Sequence, residues 1–176
     1  MKRSSGGFHA INTAVSALVG SVLLILVMTL GSITASAAPV TRDQAVNYVI
    51  TRGLAQRGVP YSWGGGDITG PTMGKGDDAT DGSPKVGFDA SGLIQYVYAG
   101  VGAKLPRSSG AMYNVGQKVA PAQALPADLI FYGTDGADSV TMFLGNNQML
   151  EVTDKGVTVS PVRTFGMAPY LVRIIA

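Results

Sequence analysis

In this sequence one stretch is laid out as a reactive site: Gly87-Phe88-Asp89-Ala90-Ser91-Gly92-Leu93. Leu93, Ile94, Val97 and Val101 follow at helical spacing. Asp89 suits an N-cap, because a short acceptor side chain takes backbone N–H groups that the first turn leaves unpaired. Position 90 therefore falls in the first turn of a helix. Free N–H groups and the helix dipole favour negative charge there. A cysteine at that point would be acidified and nucleophilic. The residue is alanine, whose methyl group attacks nothing, accepts no proton and binds no metal.

The rest of the chain does not supply the missing groups. There is no cysteine, and the single histidine, His9, lies in the N-terminal segment. Beyond position 37 this removes thiol nucleophiles, imidazole bases and the usual transition-metal ligands together, so no cofactor and no metal is expected. Ser91 offers a hydroxyl in the same turn, but no histidine accompanies it and no Ser-x-x-Lys spacing follows. Asp77, Asp78 and Asp81 lack the spacing and closing glutamate of a calcium loop and read as solvated charges. Arg107 precedes Ser108 and Ser109 at an expected helix start. It is either a surface charge or a two-donor grip on a peptide carboxylate. Glu151 is either a solvated strand-end carboxylate or a binding group. Tyr61 and Trp63 are either core aromatics or part of a ligand platform.

These residues need elements to hold them. Thr41-Arg42-Asp43-Gln44 is a capping box, and Val46, Val49, Ile50 and Leu54 keep helical spacing behind it. Gly58 and Pro60 close that helix, which the pattern places at about 42–57. Tyr61-Ser62-Trp63 followed by Gly64, Gly65 and Gly66 predicts a short strand running into a backbone that comes close to something. Residues 67–85 are Gly, Asp, Thr, Pro and Ser with few large apolar side chains, a long loop by composition. A helix over about 89–99 ends at Gly100 and Gly102, and a short helix is expected through Asn114.

The second half reads as strands at 129–132, 139–144, 149–152, 157–162 and 170–175. Gly145-Asn146-Asn147-Gln148 marks a hairpin between the second and third of these. Helices first and adjacent strands later predict an α+β fold, with N-terminal helices on a mostly antiparallel sheet of about five strands. Ser139 and Glu151 then stand on the two arms of one hairpin, as near neighbours across it.

The N-terminus has a different character. Met1-Lys2-Arg3 precedes an apolar run over about 14–30, and Ala35-Ser36-Ala37 is a small-x-small site. This predicts an export signal over 1–37, cleaved near Ala37, with an uncleaved membrane anchor as the alternative. The domain expected to remain, 38–176, has 139 residues. Lys2 and Arg3 are two of the 13 basic residues, so the remainder carries eleven basic and eleven acidic ones. A net charge of about zero, with no basic patch among aromatics, argues against nucleic acid as a partner. An exported chain without disulfides must be held by a real core.

Four blocks in order carry a resemblance: Tyr61-Ser62-Trp63-Gly64-Gly65, Gly87 through Leu93, Leu105-Pro106-Arg107-Ser108-Ser109, and Ser139-Val140-Thr141-Met142-Phe143-Leu144-Gly145. Their order resembles that of the NlpC-type cell-wall endopeptidases, papain-like cysteine peptidases that cut peptidoglycan stem peptides. The resemblance implies a cysteine at the position of Ala90 and a histidine at that of Ser139. It implies an orienting polar group at Glu151, and at Tyr61 a tyrosine hydroxyl that helps the oxyanion site. Nucleophile and base are thus both replaced, and without them the mechanism stops.

The function expected is a non-catalytic, secreted, monomeric member of that family in the cell wall. It would bind peptidoglycan or its stem peptide through Tyr61, Asp89, Ser91, Arg107, Ser109 and Glu151. A weak serine-dependent hydrolase and a docking regulator of an active cell-wall hydrolase are the alternatives.

Overall fold

The computed structural model describes residues 40–75 and 85–176. The expected export signal, its cleavage site, His9, and Asp77, Asp78 and Asp81 lie outside the described residues. Helix α1, Arg42–Leu54, begins with the capping box read from the sequence: Thr41 accepts from the Gln44 N–H, and the Gln44 side chain reaches back to the Thr41 N–H. It buries Val46 and Val49. Helix α2, Ala90–Ala99, is capped by Asp89, whose carboxylate accepts the Gly92 N–H at 2.6 Å. Leu93, Ile94 and Val97 are almost completely buried. Each contributes about 1.5–3 kcal/mol of burial, far more than helix propensity supplies over ten residues. Helix α3, Ser109–Tyr113, is a single turn capped by Ser108.

A short strand inside the stretch that composition marks as loop, β1 (Thr72–Met73), pairs antiparallel with β2 (Val86–Gly87), which directly follows that stretch. The strand expected at Tyr61 reduces to one parallel bridge, Tyr61 to Phe88. The main sheet is built from β3 (Gln117–Val119), β4 (Leu129–Tyr132), β5 (Ser139–Gly145), β6 (Gln148–Thr153), β7 (Gly156–Pro161) and β8 (Leu171–Arg173). Its order is β3-β8-β4-β5-β6-β7, and every neighbouring pair is antiparallel. The α+β expectation holds. The sheet has six strands rather than about five, because three-residue β3 carries too little alternation to be read from sequence. Asn146 and Asn147 both take positive φ at the β5–β6 turn, the backbone that a tight two-residue hairpin requires.

Alternation along the strands divides the core. Leu129, Phe131, Val140, Met142 and Leu150 face α1 and α2. Ile130, Tyr132 and Met149 face the other way, joined by Val119 and Leu171. The 64–66 turn comes close to the start of α2, as three successive glycines suggest. A Cβ on Gly92 would stand 2.2 Å from the Gly65 carbonyl oxygen, and one on Gly87 2.1 Å from that of Pro60. Among the described residues no helix is long and apolar enough to cross a membrane.

Candidate functional site

A cleft of about 530 Å³ lies at the N-terminal end of α2. Asp89, Ala90 and Ser91 form one part of its lining, and Arg107, Ser108 and Ser109 another. Tyr61, Trp63, Gly64 and Lys75 contribute a third, while Ala137, Asp138, Ser139 and Val152 bring in the ends of β5 and β6. Five of the six residues expected to bind ligand thus meet at one place: Tyr61, Asp89, Ser91, Arg107 and Ser109. Ala90 and Ser139, the positions at which the sequence resemblance implies a cysteine and a histidine, line the same space.

Helix and sheet packing explain this convergence. Leu93, Ile94 and Val97 must lie on the face of β5 that carries Val140 and Met142. That contact brings the first turn of α2 to the beginning of β5, where Ser139 stands. Trp63 is 55% exposed, so it serves the surface of the cleft rather than the core.

The charges of the cleft are arranged differently from expectation. Arg107 does not hold its fork open for a ligand. Nη1 donates to Asp89 Oδ1 at 2.9 Å and to Ser91 Oγ at 2.7 Å. Nη2 donates to Asp89 Oδ2 at 2.8 Å and to the Gly65 carbonyl at 3.0 Å. This is a bidentate pair that spends both terminal nitrogens within the protein. Asp89 is equally occupied, by Arg107, the Gly92 N–H and the Ser91 hydroxyl at 3.1 Å. The cap of α2 is therefore tied to the glycine turn through one guanidinium. Ser109 is buried and donates to the Ala137 carbonyl at 3.0 Å.

Glu151 corrects the sequence reading. It is 5% exposed and is not part of the cleft lining. Two residues from Met149, it shares that residue's side of the sheet. The Ser160 hydroxyl and the Arg163 guanidinium both donate to its carboxylate. Arg163 also lies over the Tyr132 ring, 4.7 Å from its centroid, while the Tyr132 hydroxyl donates to the Arg163 carbonyl at 3.1 Å. Burial pushes the Tyr132 phenol up, although Arg163 nearby pulls it down. Glu151 is thus neither solvated nor open to ligand. Its partners come from β7 and the segment after it, so neither is visible in the local sequence around position 151.

Two charged residues of the lining escaped the sequence reading. Lys75 lies in the glycine-rich stretch, and its composition gave no signal. Asp138 precedes β5 and looks like an ordinary turn residue. Among the described residues no group of His, Cys, Asp and Glu gathers as a metal site.

What the cleft can do follows from its groups. It offers hydroxyls, a half-exposed tryptophan, one internally neutralised ion pair, the charges of Lys75 and Asp138, and a helix N-terminus. Ser91 is the only hydroxyl in the first turn of α2. Its proton points to a carboxylate that Arg107 already neutralises, and its oxygen accepts from Arg107. With that carboxylate held by Arg107 and its own oxygen engaged by the guanidinium, Ser91 has no unoccupied general base beside it.

Comparison with known proteins gives concordant results. A model of the NlpC/P60 family matches residues 58–176. Peptidoglycan endopeptidase RipA of Mycobacterium tuberculosis is 56% identical over 134 residues, which are 75% of this chain and 28% of RipA. The chain therefore spans little more than a quarter of that curated relative's length. The P60 domain of Mycobacterium avium paratuberculosis antigen MAP1272c superposes with a TM-score of 0.71 at 66% identity, covering 76% of this chain and 95% of that domain. RipD from M. tuberculosis, described as a non-catalytic NlpC/p60 domain protein adapted to peptidoglycan binding, superposes with a TM-score of 0.69 at 64% identity. That match covers 74% of this chain and 98% of the RipD chain. Three solved RipA structures carry mutations at a cysteine, a histidine and a glutamate, spaced 49 and 12 residues apart. Ala90, Ser139 and Glu151 have the same two spacings.

Proposed function

This chain belongs to the NlpC/P60 family, with its α+β papain-like fold, and from that premise we propose that it binds peptidoglycan without cutting it. The observation that carries the reading is the methyl group of Ala90 in the first turn of α2. It lines the cleft at the point where a nucleophile would meet the end of β5. Ser139 stands at that end with a hydroxyl in place of an imidazole. The RipA spacing supports assigning Ala90, Ser139 and Glu151 to the nucleophile, base and orienting positions. RipD supports non-catalytic binding as a use for such a domain.

Recognition and turnover use different interactions, so a cleft without reacting atoms can still bind. Tyr61, Ser91 and Ser109 contribute polar walls, and the Asp89–Arg107 pair holds the frame of the cleft. Replacing thiol and imidazole with methyl and hydroxyl leaves the site roomier and uncharged at its centre. We place the protein outside the cytoplasm, in the cell wall, with residues 1–37 as the export signal and 38–176 as the binding domain. The serine-hydrolase alternative is disfavoured by the bonding of Ser91 to Asp89 and Arg107.

The test is turnover. Purified protein incubated with purified cell wall releases no peptide beyond the buffer control. Release that disappears in Ser91→Ala would establish a hydrolase and defeat the proposal.

A further inference from the structure

Arg107 and Lys75 are both cations of the cleft lining, and only Arg107 is bound internally. Among the described residues, Lys75 has no carboxylate partner. Its position is nevertheless set. The Lys75 N–H donates to the Trp63 carbonyl at 2.8 Å. Its aliphatic stem lies across Gly64, where a Cβ would stand 3.1 Å from the lysine Cγ and Cδ. Gly64 has φ +70°, so glycine there both makes the turn and leaves the space that the stem occupies. A stem packed along its length with the ammonium left in water is how lysine presents a charge at a surface. Trp63, half exposed, lines the same cleft.

Among the described residues, neither acidic residue of the lining forms an ion pair with that ammonium. Asp89 is closed by Arg107. The Asp138 carboxylate lies over Gly133, where a Cβ would come within 2.3 Å of its Oδ2.

Resting on the peptidoglycan reading, we propose that Lys75 and Trp63 form the carboxylate-recognising end of the cleft. Lys75 Nζ donates to a free carboxylate of a stem peptide, and the Trp63 indole covers the aliphatic segment beside that carboxylate. An ammonium bonded to a carboxylate while an aromatic face excludes water on one side is a selective arrangement for an acidic peptide. The charge lies near solvent, so its contribution is modest and depends on salt.

Trp63 is the only tryptophan of the chain, so its fluorescence reports on this end of the cleft directly. The protein is titrated with a soluble stem peptide, and separately with the same peptide after its carboxylates are converted to amides. The acidic peptide shifts the emission to shorter wavelength, and the amidated one binds about two- to fivefold more weakly at low salt. Lys75→Gln binds both forms with the amide's affinity, and Lys75→Arg keeps the preference for the acid. If Lys75→Gln retains the parent's preference for the acid, the proposal is wrong. It is equally wrong if the protein pellets with cell wall while the Trp63 emission stays unmoved by peptide. Either result leaves the peptidoglycan reading standing. A parent protein that neither pellets with cell wall nor responds to peptide defeats both.

Discussion

At the scale of single residues, positions 90 and 139 decide whether the cleft can react. If only the reacting atoms are absent, restoring them should restore the acidity of the thiol. Ala90→Cys with Ser139→His places a thiol in the first turn of α2, facing free N–H groups. The neighbouring Asp89 carboxylate would oppose ionisation, but Arg107 neutralises it. Alkylation rate against pH should give a thiol titrating below the ordinary value of about 8.5. A titration at the ordinary value would mean that the helix end and the imidazole do not act on position 90. Turnover asks more. Glu151 already holds Ser160 and Arg163, so an imidazole at 139 would lack a carboxylate free to orient it.

At the scale of elements, the start of α2 is the part that everything else positions. Its cap, the glycine turn and the segment before α3 are joined through the Arg107 guanidinium. Arg107→Ala leaves the Asp89 carboxylate, 15% exposed, without its main partner. The expected cost is about 1–3 kcal/mol, read as a lower thermal midpoint, with Arg107→Lys intermediate because a point charge cannot make the bidentate pair. An Arg107→Ala protein with an unchanged midpoint and lost cell-wall binding would instead make Arg107 a ligand contact.

The helices and the long strands were legible in the sequence for local reasons. A capping box at Thr41 and an N-cap at Asp89 act over three residues, and α2 declares itself by spacing. The glycines at 64–66 announced a close approach, though not that Gly92 was its partner. What stayed hidden depends on distant residues. Arg107 finds Asp89 eighteen positions away, and Arg163 finds Glu151 from beyond β7. Neither pairing leaves a local mark, so two residues that read as open ligand groups are closed within the protein. The strands β1 and β2, two residues each, are too short to show alternation.

At the scale of the whole molecule, the domain frames a cleft in which Ala90 and Ser139 stand at the positions we assign to a nucleophile and a base. The frame is costly to retain: the glycines at 65, 87 and 92, the buried α2 face and the bidentate pair all serve the geometry of one end of one helix. The central claim, binding without cutting, is tested most directly by a cosedimentation of the purified protein with purified cell wall in which pellet and supernatant are both measured. The protein is expected in the pellet, and the supernatant is expected to contain no more free peptide than the buffer control. Protein left in the supernatant, or peptide fragments accumulating there with time, would contradict the claim.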